Sequence, residues 1–265
     1  MHAQFTRPAA VAGAFYPGRA AQLQQMIQTY LDAATPPALT GVRAVIAPHA
    51  GYVYSGPIAA FSYRLLADQP PPARIILLGP AHRVWFHGVA LADYDAFQTP
   101  LGDMPVDRAA LQQLSATSGL FQLLPAAHAT EHCLEVQLPF LQTIYPPVPI
   151  VPLLFGEVSA AAVGEVLDGF VGPGDLLVIS SDLSHYHPYD DAQRRDRSFV
   201  DAVLRDDSDA VARGEACGQA PILALMTIAR RRGWQPHLLD YRNSGDTAGD
   251  RQQVVGYAAI AYTEA

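Results

Sequence analysis

The chain contains no lysine: all 17 basic residues are arginine, against 25 acidic residues, for a net charge of −8. With no basic run anywhere, that balance argues against binding to a nucleic-acid backbone. Only two cysteines are present, Cys133 and Cys217, far apart and in no CxxC pair. Such sparse usage fits a reducing compartment and excludes a zinc–thiolate site, so each cysteine reads as a small core residue. Long hydrophobic runs are missing too, which argues against a membrane span. The opening MHAQFTRPAAVAGAFYPG meets proline and glycine early and has no apolar signal core, so a cytoplasmic location is expected. No linker, charge block or repeat divides the chain, and residues 1–265 read as one domain.

What is present is material for a large core. Half of the residues are hydrophobic and only 16% are charged. Apolar runs bounded by proline and glycine predict strands at Val42–Ala47, Arg74–Gly79, Trp85–Leu91, Val148–Phe155, Asp175–Ser180, His237–Tyr241 and Val254–Tyr262. Between them, helical spacing predicts helices over Arg19–Ala33, from a Ser55 cap to Ala67, over Asp107–Ser115 and over Ser159–Phe170. Two more are expected in Asp190–Arg213 and Pro221–Arg232, and one capped by Thr130 and interrupted at Pro139. Strands alternating with helices imply an α/β fold, a mostly parallel or mixed sheet covered on both faces.

Two strands end alike. Val42–Ala47 stops at Pro48 and is followed by His49; Arg74–Gly79 stops at Pro80, two residues before His82. Proline ends the ladder, and a side chain just past the carboxyl end of a buried strand sits where open α/β sheets hold ligands. A single histidine there reads as an ordinary turn residue; two such endings point to a shared site. In SSDLSHYHPY another buried strand opens into Asp182, His185 and His187. Imidazole and carboxylate together suit iron, zinc, copper or nickel, and two histidines with one carboxylate is the ligand set of non-haem Fe(II) oxygenases. Asp182 is read as the third ligand, or else as a cap on its turn, and His187 as a residue behind the ligands or on the surface. Glu131 and Glu135 are four apart and read equally well as a solvated helix face. The loop Asn243–Asp250 is either a further site segment or a plain turn.

The segments RPAAVAGAFYPG, APHAGYVYSGPIAA, LLGPAHR, HATEHCLEVQLPFLQ, ISSDLSHYHPY and DYRNSGD…VVGYAA, in that order, resemble the Memo family. Its prokaryotic members carry the label AmmeMemoRadiSam system protein B. The resemblance implies a fold similar to LigB-type class III extradiol dioxygenases. It implies metal-site roles for His49 and His82, pocket roles for Asp182 and His185, and an acid/base role for His185, since imidazole titrates near neutrality. It also implies functional association with radical-SAM and Amme-family proteins. Some Memo proteins place a metal-binding cysteine in the C-terminal loop, where Thr247 stands here; an oxygen donor such as Asp182, Asp246 or Asp250 would favour Fe(II) over Cu, with Zn a further option. Tyr54, Glu131, His132, Asp246 and Thr247 are expected to contact a small-molecule substrate. The expected function is that of an Fe(II)-dependent oxidoreductase of dioxygenase type, with a metal-dependent hydrolase or a partner-binding module as the alternatives.

Overall fold

The computed structural model describes residues 5–264; residues 1–4 and 265, part of the expected single domain, lie outside the described residues. Its strands in chain order are β1 (Thr6–Arg7), β2 (Val42–Ala47), β3 (Arg74–Pro80), β4 (Val89–Leu91), β5 (Ala96–Thr99) and β6 (Gly102–Pro105). They continue as β7 (Phe121–Leu123), β8 (Ile150–Phe155), β9 (Asp175–Ser180), β10 (His185–His187), β11 (Gln235–Asn243) and β12 (Val254–Thr263). The main sheet runs β10-β12-β2-β9-β3-β8-β4-β7, with β11 also paired to β12; β1, β5 and β6 form a separate small sheet.

At the centre, β2, β9, β3 and β8 are mutually parallel. Antiparallel β12 closes one side and antiparallel β4 the other, so the sheet is mixed. Every residue of β8 and β9 is buried. This is why these strands read as continuous apolar runs and not as alternating ones: both faces are covered.

The helices are α1 (Ala20–Ala33), α2 (Tyr52–Ala67), α3 (Arg108–Thr117), α4 (Pro125–Ala129) and α5 (Leu138–Ile144). They continue as α6 (Ala160–Phe170), α7 (Tyr189–Leu204), α8 (Ser208–Arg213), α9 (Gln219–Arg232) and α10 (Ser244–Thr247). In α1, Leu23, Ile27 and Leu31 form the buried stripe that their spacing predicts. α2 begins at Tyr52, earlier than expected. The Tyr52 N–H donates to Phe15 O at 2.8 Å, satisfying one of the helix's orphan donors from another segment. Ser55 therefore lies inside the helix, its hydroxyl donating to Ala50 O, and does not cap it.

Two further expectations are corrected. The third strand is only Val89–Leu91, because Gly88 at φ +88° turns the chain and leaves Trp85 and His87 exposed. Thr130 follows the last residue of α4 as its C-cap and caps no following helix; after it comes a short 3₁₀ turn, Glu135–Gln137, which leads into α5 with Pro139 in its first turn.

Candidate metal centre

β9 lies between β2 and β3, so the tips of β2 and β3 are two strand spacings apart, about 10 Å. His49 and His82 start from those tips and lean together: their ring centroids are 5.2 Å apart. A third imidazole, His132, stands 5.4 Å from His49 and 4.8 Å from His82. Beside them is Cys217, whose Sγ lies 3.2 Å from His49 Nε2. One donor atom from each of His49, His82 and Cys217 falls within 4.8 Å of the other two, a spacing that could hold a cation. His82, Glu131 and His132 form a second such group.

Hydrogen bonds decide which nitrogens are free. Ser180 Oγ donates its one proton to Cys133 O at 2.6 Å and accepts from Gln137 Nε2 at 2.8 Å. His49 Nδ1, 2.8 Å from the same oxygen, must then carry the hydrogen and donate. Its Nε2 is left with a lone pair facing Cys217. On the other side, His82 Nδ1 donates to Glu131 Oε1 at 2.9 Å, since an ionised carboxylate only accepts, which leaves Nε2 as the ring nitrogen open to a cation. Both rings are thus fixed in the tautomer a metal requires, by the kind of outer partner that metal-ligating histidines have.

The Glu131 carboxylate is the hub of the second group. Oε2 accepts the His82 backbone N–H at 2.7 Å, and Oε1 accepts those of His132 and Cys133 at 2.9 and 3.1 Å. Burial works to raise its pKa, but the imidazoles of His132 and His82 beside it, together with the His82 backbone N–H, outweigh burial and hold the carboxyl well below the usual range. It is already occupied as an acceptor of N–H groups, which favours the His49–His82–Cys217 group as the one open to a cation. His132 Nδ1 is 3.1 Å from Glu131 Oε1 but poorly aligned, and it is a buried polar atom with no hydrogen-bond partner among the described residues.

Charge in this site is scarce. Burial first, then the imidazoles of His82 and His132, push His49 well below the ordinary histidine range, so its ring is neutral. Burial and the nearby Asp182 carboxylate push the Cys217 thiol up to about 12. Without an ion the thiol keeps its proton; a bound cation would release it, as metal ligation of cysteine requires. Two imidazoles and a thiol that ionises on binding therefore fit a divalent ion of intermediate softness.

Asp182 is placed differently from the expectation. Its Oδ1 accepts the His49 backbone N–H at 2.7 Å, and Oδ2 is 4.0 Å from His49 Nε2. Burial raises its pKa, against the opposing pull of the His49 N–H and of His185. It holds the turn after β2 and belongs to neither donor group. Cys217, half-buried, stands beside the two histidines where a carboxylate was expected, which corrects its reading as a core residue.

The loop that delivers Cys217 depends on Gly218, where an added Cβ would lie 2.5 Å from Ser181 Cβ. That close approach lets the Cys217 N–H reach Asp182 O at 3.2 Å while the Asp182 N–H points to Sγ, also at 3.2 Å.

His185 lies close enough to His49 and Asp182 to act on both electrostatically. Glu215 holds its turn, accepting the His185 N–H at 3.2 Å and contacting His187 Nε2 at 2.8 Å. Next to it, Tyr186 adopts φ +61°, a left-handed conformation uncommon for any residue but glycine. Asp246 and Thr247 serve their own loop: Asp246 accepts the Asn243 N–H at 3.0 Å and Tyr189 OH at 2.5 Å, and the Thr247 hydroxyl donates to Ser244 O. Tyr54 is 39% exposed in the first turn of α2. Asp246 belongs to no donor group among the described residues.

Fold and site together define an α/β protein with a histidine-rich polar cluster at the carboxyl ends of its parallel strands. An uncharacterized protein of Escherichia coli K12 shares that fold in its crystal structure, with a TM-score of 0.54 at 18% identity over 82% of this chain and 99% of the other. The family described as Memo-like protein matches residues 7–261. A MEMO1 family protein of Methanopyrus kandleri is 35% identical, covering 97% of this chain and 98% of the relative. One from Aeropyrum pernix is 37% identical over 96% and 98%. The chain belongs to the Memo family.

Proposed function

We propose that this Memo-family chain binds a single metal ion through His49, His82 and Cys217, and uses Fe(II) there to oxidise a small molecule. The observation that carries this reading is the three-donor group itself, whose atoms lie within 4.8 Å of one another at the ends of β2, β3 and the loop before α9. When bound, Fe(II) supplies coordination positions and electrons for chemistry with O₂. Around it, Ser180 and Glu131 keep the two rings in the ligating tautomer, and Asp182 anchors the turn that carries His49. His185 is the proton-transfer group.

A second reading is favoured by Cys217. A thiolate draws preference toward zinc or Cu(I), and a zinc ion would activate water for hydrolysis instead.

Metal content after anaerobic purification tests both readings. Wild-type protein should carry one ion per chain, and His82→Ala and Cys217→Ala should each lose it. If iron and zinc are offered and all three proteins stay equally empty, the metal reading fails. Steady O₂ uptake by the iron form excludes the hydrolase, whereas turnover under strict anaerobiosis excludes the oxidase.

A further inference from the structure

A cavity of about 480 Å³ opens beside the donor group. His82 and Cys217 line it, together with Arg83, Trp85, Phe86 and Pro221 among others. That volume is in the range of small-molecule sites, and the lining combines apolar side chains with a comparable polar surface. Arg83 is exposed, and no hydrogen bond, ion pair or cation–π contact joins its guanidinium to another of the described residues. Most of the other arginines have such partners, as with Arg74 on Asp175 and Arg232 on Asp168. The carboxylate lining the same cavity, Glu157, lies at the exposed rim, 3.6 Å from His87 Nδ1. A free guanidinium next to an apolar wall is a receptor for a planar anion, because its fork matches a carboxylate in two parallel hydrogen bonds.

We infer that this cavity is the substrate pocket and that it takes an apolar carboxylic acid. The carboxylate pairs with Arg83, the apolar body lies along Trp85 and Phe86, and the far end reaches His82 and Cys217. The identity of the reacting end rests on the metal reading above; the anion contact does not, so the two can fail separately.

Trp85 makes the pocket observable. It is 73% exposed, whereas Trp234, the other tryptophan, is buried. Phenylacetate and its neutral analogue 2-phenylethanol are titrated while indole fluorescence is followed, with metal-loaded and with chelator-treated protein. Wild type should bind phenylacetate at least about tenfold more tightly than the alcohol in both forms, the factor expected for one charge-assisted contact. Arg83→Gln should abolish that preference with metal content unchanged, and Arg83→Lys should retain part of it.

Equal affinity for acid and alcohol overturns the inference, as does no saturable phenylacetate binding at tens of millimolar. So does a preference that survives Arg83→Gln or needs the metal, since the ion would then be the anion's partner. An Arg83-dependent preference in protein that binds no metal keeps the pocket and removes the metal reading.

Discussion

Glu131 and Glu135 are four residues apart and both buried, yet they face different kinds of partner. Glu135 meets a fixed charge: Arg7, itself fully buried, reaches it at 2.6 Å. Its remaining acceptor sites take the Ala10 and Val11 N–H groups and the Tyr16 hydroxyl. Glu131 meets two imidazoles, His82 and His132, at the candidate metal site. The first carboxylate is closed off, tying the N-terminal segment to the 3₁₀ turn. The second opens onto a site. A buried charge that is saturated by a permanent cation is structural, whereas one that orients neutral ligands is chemically available.

The largest effect should come from the closed side. Glu135→Gln would place an amide NH₂ against two of the four donors and leave the Arg7 guanidinium buried without a counter-charge. Breaking a buried pair in this way costs about 3–5 kcal/mol, read as a lowered urea midpoint. Metal bound per folded molecule should not change. If Glu135→Gln loses metal at unchanged stability, the division between the two carboxylates is wrong.

On the open side the same substitution should act the other way. Glu131→Gln keeps the shape but sets an NH₂ group against the N–H groups that Glu131 now accepts. Metal affinity should fall by about 10–100-fold, the usual loss when an outer partner of a histidine ligand is removed. A competition titration with a chromophoric chelator measures it. Ser180→Ala should lie near the lower end, about tenfold, because it frees His49 Nδ1 but leaves the ring buried between its neighbours. An affinity equal to wild type in both variants would mean that the tautomers do not matter, and with them the assignment of His49 and His82.

These sites were not equally legible in the sequence. His49 and His82 could be found because a local signal, proline at the end of an apolar run, marks the strand tip, and the parallel order places the tips together. Glu135 could not be assigned, since its partner Arg7 is 128 residues away and nothing local shows the pairing. Cys217 was missed for the same reason: its contact with His49 spans 168 residues and depends on Gly218 lying against Ser181. A Cys-Gly pair just before a helix was the only trace. α4 is different, because Pro125 at its first position is a helix-start signal that was there to be read. Boundaries slipped where a distant backbone group did the capping, as Phe15 O does for Tyr52.

The smallest effect separates the two networks by pH. His128 belongs to the closed side: its carbonyl accepts Arg7 Nε at 2.6 Å and its Nε2 donates to Ala90 O at 3.0 Å. Burial lowers its pKa to about 4, with the Ala90 hydrogen bond opposing and the Arg7 charge adding to the drop. An unfolded histidine titrates near 6.5, so between about 6.5 and 4 the unfolded chain holds a proton that the folded chain refuses. Stability must therefore fall as the pH falls through that window, by up to about 1.4 kcal/mol per pH unit from this one group. His128→Gln can keep the donor to Ala90 O without the titration, and urea denaturation at a series of pH values should show a shallower slope, with metal binding at pH 7 unchanged. An unaltered slope would mean that His128 is protonated in the folded chain, and a cation there would stand against Arg7 in a network whose charge is balanced without it.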